Sequence, residues 1–288
     1  MGRPPRMDVP SDTHRRRHSL RTSRPDGDCT TPLSPSPAHC IRPVPCAWSR
    51  DPFDRSPTDP MRDILTVTLN PALDIATEVD GVVPGLKLRC DAPRTDPGGG
   101  GINVSRAIAL LGGTPRTFAV LSGHAGLTIA DLLAESGLKE IVAFRGAPET
   151  RSSLAVMDRL TGAQYRFMLP GAPWPDGMAT EVADRIVAEA RPGSLVVVSG
   201  SLPPGCPPGM LADLTARLNA RDAKPVYDTS GSALTFLASG QAGTAHVLRM
   251  NQTEADEIAN RRLRSVRETA DFAQSLVKRG AAAIVVAA

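Results

Sequence analysis

Short apolar segments alternate with amphipathic segments along most of the chain. Runs of β-branched and aliphatic residues predict strands at 64–69, 117–121, 141–144, 194–199, 225–228, 245–249 and 283–286. Apolar residues at helical spacing predict helices at 102–111, 127–135, 180–190, 208–220, 231–238, 253–260 and 265–279. Strands and helices that alternate in this way form a mostly parallel sheet covered on both faces, so the sequence predicts a doubly wound α/β fold.

Two stretches interrupt this alternation. Residues 75–95 and 151–168 show strand-like patterning without helices, and Thr161-Gly162 has the composition of a hairpin turn. Insertions of this kind often cover a site at a sheet edge. We therefore expect a small antiparallel β lid built from these two stretches.

Composition divides the chain near residue 60. Residues 1–60 contain 12 of the 27 prolines and 10 arginines but no lysine, and they show no apolar periodicity. Such a segment buries too little surface to offset its ordering entropy, which predicts a disordered N-terminal extension, with Met61 as the natural start of translation. The net charge of +3 arises entirely in this segment, because residues 61–288 contain 23 basic and 23 acidic residues.

Charge, aromatic content and cysteine spacing exclude several classes of protein. A net charge of +3 and an aromatic content of 3% argue against a nucleic-acid partner. No segment approaches the ~20 apolar residues of a membrane span, so we expect no membrane association. Five cysteines at irregular spacing indicate neither a disulfide framework nor a zinc site, and a reducing cytoplasm is expected.

The strongest local feature is a run of four glycines, Gly98, Gly99, Gly100 and Gly101, at the start of a predicted helix. Without side chains, backbone N–H groups can approach a ligand at a helix N-terminus. Asn103 then offers an amide donor and acceptor to sugar hydroxyls. A plain flexible loop is the alternative interpretation. The glycine spacing fits neither a Walker loop nor the dinucleotide fingerprint.

Several polar residues follow predicted strands, where ligands of parallel sheets bind. Asp74 follows the first strand, and either sugar binding or a turn would explain it. The small residues of segment 199–205 leave the same choice between binding and a simple turn. Segment 228–231 ends another strand, and a cap on the next helix by Asp228 or Ser230 is its stronger interpretation.

Four further charged or polar residues are candidates for the same end of the sheet. Asn251 and Glu254 open a predicted helix, and taken alone they indicate a helix cap. Lys87 and Arg151 are lone cations in the lid-like insertions. Cations that reach over a strand-end cleft suit a phosphorylated substrate.

Six motifs together resemble the ribokinase-like carbohydrate kinases of the PfkB family. They are Thr68–Asp74, Lys87–Cys90, Pro97–Asn103, Gln164–Phe167, Ser199–Gly205 and the pair Asn251 and Glu254. The resemblance implies a ribokinase-like fold and ATP-dependent phosphorylation of a sugar phosphate with Mg²⁺. Related fructose-1-phosphate kinases tend to have a lysine in the glycine run, so four glycines favour fructose 6-phosphate. Fructose 1-phosphate and tagatose 6-phosphate remain alternatives.

The resemblance also implies roles for individual residues. It assigns Asp74, the four glycines and Asn103 to the sugar, and Arg151 and Ser201 to the sugar or its phosphate. It places Lys87 in the lid region near the substrate. It assigns Arg249, Asn251 and Glu254 to the nucleotide, with Glu254 acting on magnesium through water. A homodimer through the lid strands is expected on the same basis.

The sequence departs from the family pattern in two respects. Arg249 stands where relatives usually have lysine, which keeps the charge but changes its geometry. The family's catalytic aspartate lies in a Gly-Ala-Gly-Asp segment, and this sequence contains no such segment. We therefore name no catalytic base, and expect residues 61–288 to form an incomplete kinase domain that lacks about the last quarter of the family's length. A non-catalytic sugar-phosphate-binding remnant is the alternative function.

Overall fold

The computed structural model describes residues 62–146 and 148–287, so the prediction for residues 1–60 lies outside the described residues. The strands are β1 (Ile64–Thr68), β2 (Ala72–Val79), β3 (Arg94–Gly98), β4 (Arg116–Val120), β5 (Glu140–Phe144), β6 (Arg151–Asp158), β7 (Gln164–Met168), β8 (Leu195–Ser199), β9 (Lys224–Asp228), β10 (Ala245–Met250) and β11 (Ala282–Ala287). The helices are α1 (Gly100–Leu110), α2 (Gly123–Glu135), α3 (Met178–Glu189), α4 (Gly209–Ala220), α5 (Gly231–Ala238), α6 (Gln252–Ala259) and α7 (Val266–Lys278). Within these ranges, no helix combines the length and apolar character needed to cross a membrane.

Seven strands form one parallel sheet in the order β11-β10-β9-β8-β1-β4-β5. Each strand and helix predicted for this sheet is present, with ends that differ by at most four residues. The central strand β1 pairs with β4 on one side and with β8 on the other. From β1 the strand order runs outward in both directions, so a crevice opens at the carboxyl ends of β1 and β8.

Both faces of this sheet are buried, which explains why its strands are apolar on successive residues. In β4 and the residue after it, Phe118 and Val120 belong to one core, whereas Ala119 and Leu121 belong to the other. Side chains that alternate along a strand point to opposite faces. The larger core includes residues of α3, α4 and α5, and the smaller one includes residues of α1 and α2. The doubly wound prediction is thereby confirmed.

The lid is a second, four-stranded sheet in the order β3-β2-β6-β7. The pairs β2–β3 and β6–β7 are antiparallel, but β2 and β6 are parallel. The lid is therefore mixed, and the purely antiparallel prediction needs correction. A long crossover through α1, β4, α2 and β5 separates β2 from β6, and such a connection permits the parallel orientation that a hairpin forbids. The predicted turn at Thr161-Gly162 does join β6 to β7, with Gly162 at φ +70°.

Candidate active site

Polar residues follow the carboxyl ends of four neighbouring strands of the large sheet. Asn70 follows β1, Ser201 follows β8, Asp228 ends β9 and Asn251 follows β10. Adjacent strands lie about 4.8 Å apart, so this row extends over roughly 15 Å. The order of the strands therefore places the predicted sugar residues and the predicted nucleotide residues along one edge.

The glycine run is less of a loop than the sequence suggested. Gly98 ends β3, Gly99 alone links the two elements, and Gly100 and Gly101 form the first turn of α1. A Cβ atom on Gly101 would lie 2.5 Å from the carbonyl oxygen of Val67. On Gly100 it would lie 2.8 Å from the backbone nitrogen of Gly200. The glycines are thus required because α1 packs directly on the ends of β1 and β8.

This close packing also leaves donors available at the N-terminus of α1. The N–H of Ile102 donates to Thr68 Oγ1 at 2.9 Å. In the described part of the chain, no protein acceptor meets the N–H groups of Gly100 and Gly101. Asn103 is exposed on the same turn. Backbone donors and a side-chain amide at a helix N-terminus suit a polar or anionic ligand.

Asp74 lies inside β2, so the turn interpretation of this residue is wrong. In the register of the lid it faces Ser153 of β6 on one side and Asp96 of β3 on the other. Ser153 Oγ donates to Asp74 Oδ1 at 2.5 Å. A Cβ atom on Gly98 would lie 2.6 Å from Asp74 Cγ, so glycine is required there to accommodate the carboxylate. Sequence reasoning missed Ser153, because only the register shows that it faces Asp74.

Arg151 begins β6 and lines a small cavity of about 20 Å³ together with Asn70, Gly171 and Trp174. Its Nε atom is buried without a hydrogen-bond partner, and among the described residues no carboxylate forms an ion pair with it. Asn70 Nδ2 donates to Ser201 Oγ at 3.1 Å beside this cavity. A guanidinium that lacks an internal partner favours an anion from outside the chain.

Lys87 lies in the exposed segment 80–93 between β2 and β3, and nothing in the described residues brings it into an ion pair with the other candidate residues. The ends of this segment are fixed to the β6–β7 hairpin. Arg159 pairs with Asp80 at 2.8 Å and with Asp91 at 2.6 Å. The N–H of Val82 donates to Asp158 Oδ2 at 3.1 Å. The structure therefore places Lys87 on a lid loop whose two ends are anchored to the β6–β7 hairpin.

Asn251 and Glu254 form a complete capping box on α6. Asn251 Oδ1 accepts the Glu254 N–H at 2.9 Å, and Glu254 Oε2 accepts the Asn251 N–H at 2.7 Å. No group of three His, Cys, Asp or Glu residues among the described residues could hold a metal ion directly. The Oε1 atom of Glu254 accepts no bond from the described chain. One free carboxylate oxygen fits Mg²⁺ that keeps several waters and is bound mainly by substrate phosphates.

Asp228 connects three strand ends rather than capping a helix. Its Oδ2 accepts from Ser199 Oγ at 2.9 Å, and its Oδ1 accepts from Arg249 Nη1 at 3.0 Å. Ser230 is the N-cap residue of α5 and makes no side-chain cap bond. Of the two predicted cap residues, Ser230 therefore holds the N-cap position and Asp228 does not. Through Ser199 and Arg249, Asp228 links the carboxyl ends of β8, β9 and β10. These ends lie between the predicted sugar residues and the predicted nucleotide residues.

Residues 67–288 match the model of the pfkB family of carbohydrate kinases. The chain belongs to this family. It is 39% identical over 230 residues to the ATP-dependent 6-phosphofructokinase isozyme 2 of Mycobacterium tuberculosis, with 77% of this chain and 64% of that enzyme covered. It is 33% identical over 224 residues to the 1-phosphofructokinase of Xanthomonas campestris, with 77% and 70% covered. The chain thus spans about two thirds of the length of these pfkB relatives.

A solved structure of the pfkB family has the same fold. The phosphofructokinase-2 of Escherichia coli in complex with fructose 6-phosphate superposes with a TM-score of 0.73 at 36% identity. The match covers 79% of this chain and 74% of the Escherichia coli chain. The ribokinase-like fold predicted from the sequence is thereby confirmed.

Proposed function

We propose that this pfkB family chain binds fructose 6-phosphate at the carboxyl ends of β1 and β8, for phosphorylation by ATP to fructose 1,6-bisphosphate. The observation that supports this most directly is the buried Nε of Arg151 without a partner, beside the Asn70–Ser201 pair. The Arg151 guanidinium forms no ion pair within the described chain, and a cation of this kind beside the Ser201 hydroxyl suits the phosphate of the substrate.

The distance between Arg151 and Asp74 supports a phosphorylated sugar in particular. Arg151 faces Ala72 in the lid register, and Asp74 lies two residues further along β2. Two residues span roughly 6.6 Å along a strand, and neighbouring strands lie about 4.8 Å apart, so the Cα atoms of Arg151 and Asp74 are roughly 8 Å apart. A ketohexose phosphate can place its phosphate near a guanidinium and a hydroxyl near a carboxylate over such a distance. Asp74 and Asn103 would then orient the sugar from the lid and from α1.

Relatives within the family are named for different ketose phosphates. Two of them are named for 6-phosphofructokinase or 1-phosphofructokinase activity. The glycine run contains no lysine, and this favours fructose 6-phosphate over fructose 1-phosphate. Tagatose 6-phosphate is the third candidate and differs from fructose 6-phosphate only in the configuration of the C4 hydroxyl.

ATP and Mg²⁺ are proposed for the other end of the row. Asn251 and Glu254 lie after β10, and Arg249 adds positive charge before them. Bound Mg²⁺ would neutralise phosphate charge on the nucleotide. Glu254 would hold it through water with Oε1. The N–H groups of Gly100 and Gly101 would orient phosphoryl oxygens near the sugar.

The lid strands are proposed to pair two copies of the chain. Hairpin β6–β7 exposes 82% of Leu160, 52% of Phe167 and 55% of Met168, which is a large apolar area for a free surface. The phosphofructokinase-2 of Escherichia coli has a tetrameric inhibited form. Light scattering of the purified chain should give twice the protomer mass. Phe167→Ser should shift it to a monomer, and a wild-type monomer would contradict the pairing.

Calorimetric titration with fructose 6-phosphate tests the binding proposal. Asp74→Ala removes an acceptor of sugar hydroxyls, and a bond to a charged group contributes about 1.5–3 kcal/mol, so affinity should fall roughly 10- to 150-fold. Asp131→Ala, which removes an exposed carboxylate of α2, should leave affinity unchanged. Wild-type affinity in Asp74→Ala would refute the assignment.

A turnover assay separates the kinase from the non-catalytic alternative. The purified chain is mixed with Mg²⁺, ATP and fructose 6-phosphate, and fructose 1,6-bisphosphate is measured. Product formation that Asn251→Ala abolishes would support the kinase. Binding without product would support the alternative of a non-catalytic sugar-phosphate-binding protein. A chain that binds no sugar phosphate would contradict both.

A further inference from the structure

The hydroxyl of Ser153 is the only side-chain donor to Asp74 within the described chain. Ser153 is 7% exposed and lies directly opposite Asp74 in the parallel register of β2 and β6. Its Oγ lies 2.5 Å from Asp74 Oδ1. Such a short O–O distance is typical of a hydroxyl that donates to an ionised carboxylate. The hydroxyl therefore fixes the rotation of the Asp74 side chain.

The surroundings of Asp74 leave it few other constraints. On the other side, β3 presents Asp96, which is itself a carboxylate and cannot donate when ionised. Gly98 offers no side chain, and a Cβ there would overlap with Asp74 Oδ2. Without Ser153, the carboxylate would be free to rotate over the backbone of Gly98. With Ser153, Oδ1 is occupied and Oδ2 remains for a ligand.

We propose that Ser153 is a positioning residue for sugar recognition, which acts by holding Oδ1 of Asp74 so that Oδ2, which accepts no bond from the described chain, stays available to the ligand. The inference rests on the proposed function, because it gives Asp74 the role of a sugar-hydroxyl acceptor. Ser153 itself need not touch the sugar. Ser153 increases the affinity for the sugar only because it orients the Asp74 carboxylate.

Calorimetric titration with fructose 6-phosphate of the wild-type chain and five variants tests this. Ser153→Ala should weaken affinity about tenfold, the lower end of the value of one hydrogen bond to a charged group. Ser153→Thr keeps the hydroxyl on a β-branched residue suited to a strand and should restore affinity to within about threefold. Ser152→Ala is the matched control. Ser152 is the preceding residue of β6, its side chain points to the other face, and it makes no side-chain hydrogen bond in the described chain.

A double variant separates positioning from a general structural defect. In the Asp74→Ala background, Ser153→Ala should change affinity less than twofold, because the group through which it acts is gone. A structural role would weaken binding again in that background and would not be rescued by threonine. Urea unfolding of each variant identifies any that fails to fold, and Ser153→Thr then carries the comparison.

The outcomes distinguish the positioning role of Ser153 from the proposed function of the chain. If wild-type affinity falls in Asp74→Ala but not in Ser153→Ala, the positioning role is wrong and the proposed function stands. If Ser153→Ala weakens binding equally with and without Asp74, the positioning role is also wrong. If the wild-type chain binds no fructose 6-phosphate, the proposed function and the positioning role are both overturned.

Discussion

Replacement of Gly101 by alanine should destabilise the protein although it adds one methyl group to a helix. Gly101 lies in the first turn of α1, where its missing side chain faces the end of β1. A Cβ atom would lie 2.5 Å from the Val67 carbonyl oxygen, 2.6 Å from Thr68 Oγ1 and 2.7 Å from the Val67 carbonyl carbon. Two of these three atoms belong to the backbone of a central strand and cannot move aside, so α1 must shift.

The size of the effect follows from what the shift disturbs. Overpacking in a close-packed interior costs about 1–3 kcal/mol. The shift would also lengthen the bond from the Ile102 N–H to Thr68 Oγ1, now 2.9 Å, and the bond between the buried hydroxyls of Ser105 and Thr117, now 2.8 Å. Each contributes about 1 kcal/mol. We therefore expect a loss of about 3 kcal/mol in the free energy of unfolding.

Urea unfolding followed by circular dichroism measures this loss, and Gly209→Ala is the control. Gly209 also begins a helix, has no neighbour within 4 Å of a built Cβ and has no left-handed backbone. Alanine there should leave stability unchanged or raise it by about 0.4–1 kcal/mol. An unfolding midpoint for Gly101→Ala equal to that of Gly209→Ala would refute the packing role of the glycine run. The run would then be required for ligand approach alone.

Three further predictions concern charge and burial. Arg116 is 5% exposed and donates twice to Asp63, so Arg116→Ala should lower the free energy of unfolding by about 3 kcal/mol, measured by urea denaturation. A hydrogen bond from the Val82 N–H lowers the pKa of Asp158 below its usual value of 3.8. The stability it contributes is present at neutral pH and lost as pH falls through that lowered pKa, so Asp158→Asn should flatten the acid limb of a thermal-unfolding profile; an unchanged limb would contradict this. Burial raises the pKa of Cys206 to about 11, so mass spectrometry after iodoacetamide treatment at pH 8 should find it labelled only in unfolded protein.

The parallel sheet could be predicted from sequence because its strands are buried on both faces and therefore carry continuous apolar runs. The lid strand β3 could not, since Pro97 and Gly98 are poor strand residues. They are tolerated there because β3 is an edge strand of the lid and ends at the start of α1. Local pattern alone does not reveal an edge position.

Only those features of the candidate site that a local sequence signal marks could be predicted. Asp74 was proposed from its motif and Arg151 as a lone cation in the second insertion, but no local signal pairs Asp74 with Ser153, 79 residues away. Asp228 or Ser230 was predicted to cap the helix that follows, and Ser230 holds that position. The true partners of Asp228 are Ser199 and Arg249, which lie on the two neighbouring strands. Contacts between strands depend on sheet order, which the sequence does not state.

The parallel pairing of β2 with β6 has a consequence for the order of folding. Between these strands the chain must form β3, α1, β4, α2 and β5, so the pair closes a loop of most of the first half of the described domain. Closing such a loop costs chain entropy before any contact across it is gained, and distant pairings form slowly. Asp74 and Ser153 are 79 residues apart, whereas Leu65 of β1 and its partner Arg116 of β4 are 51 apart, so we expect the Asp74–Ser153 pair to form after β1 and β4 have met. In pulse-labelled hydrogen exchange, amides of β6 should gain protection later than those of β4.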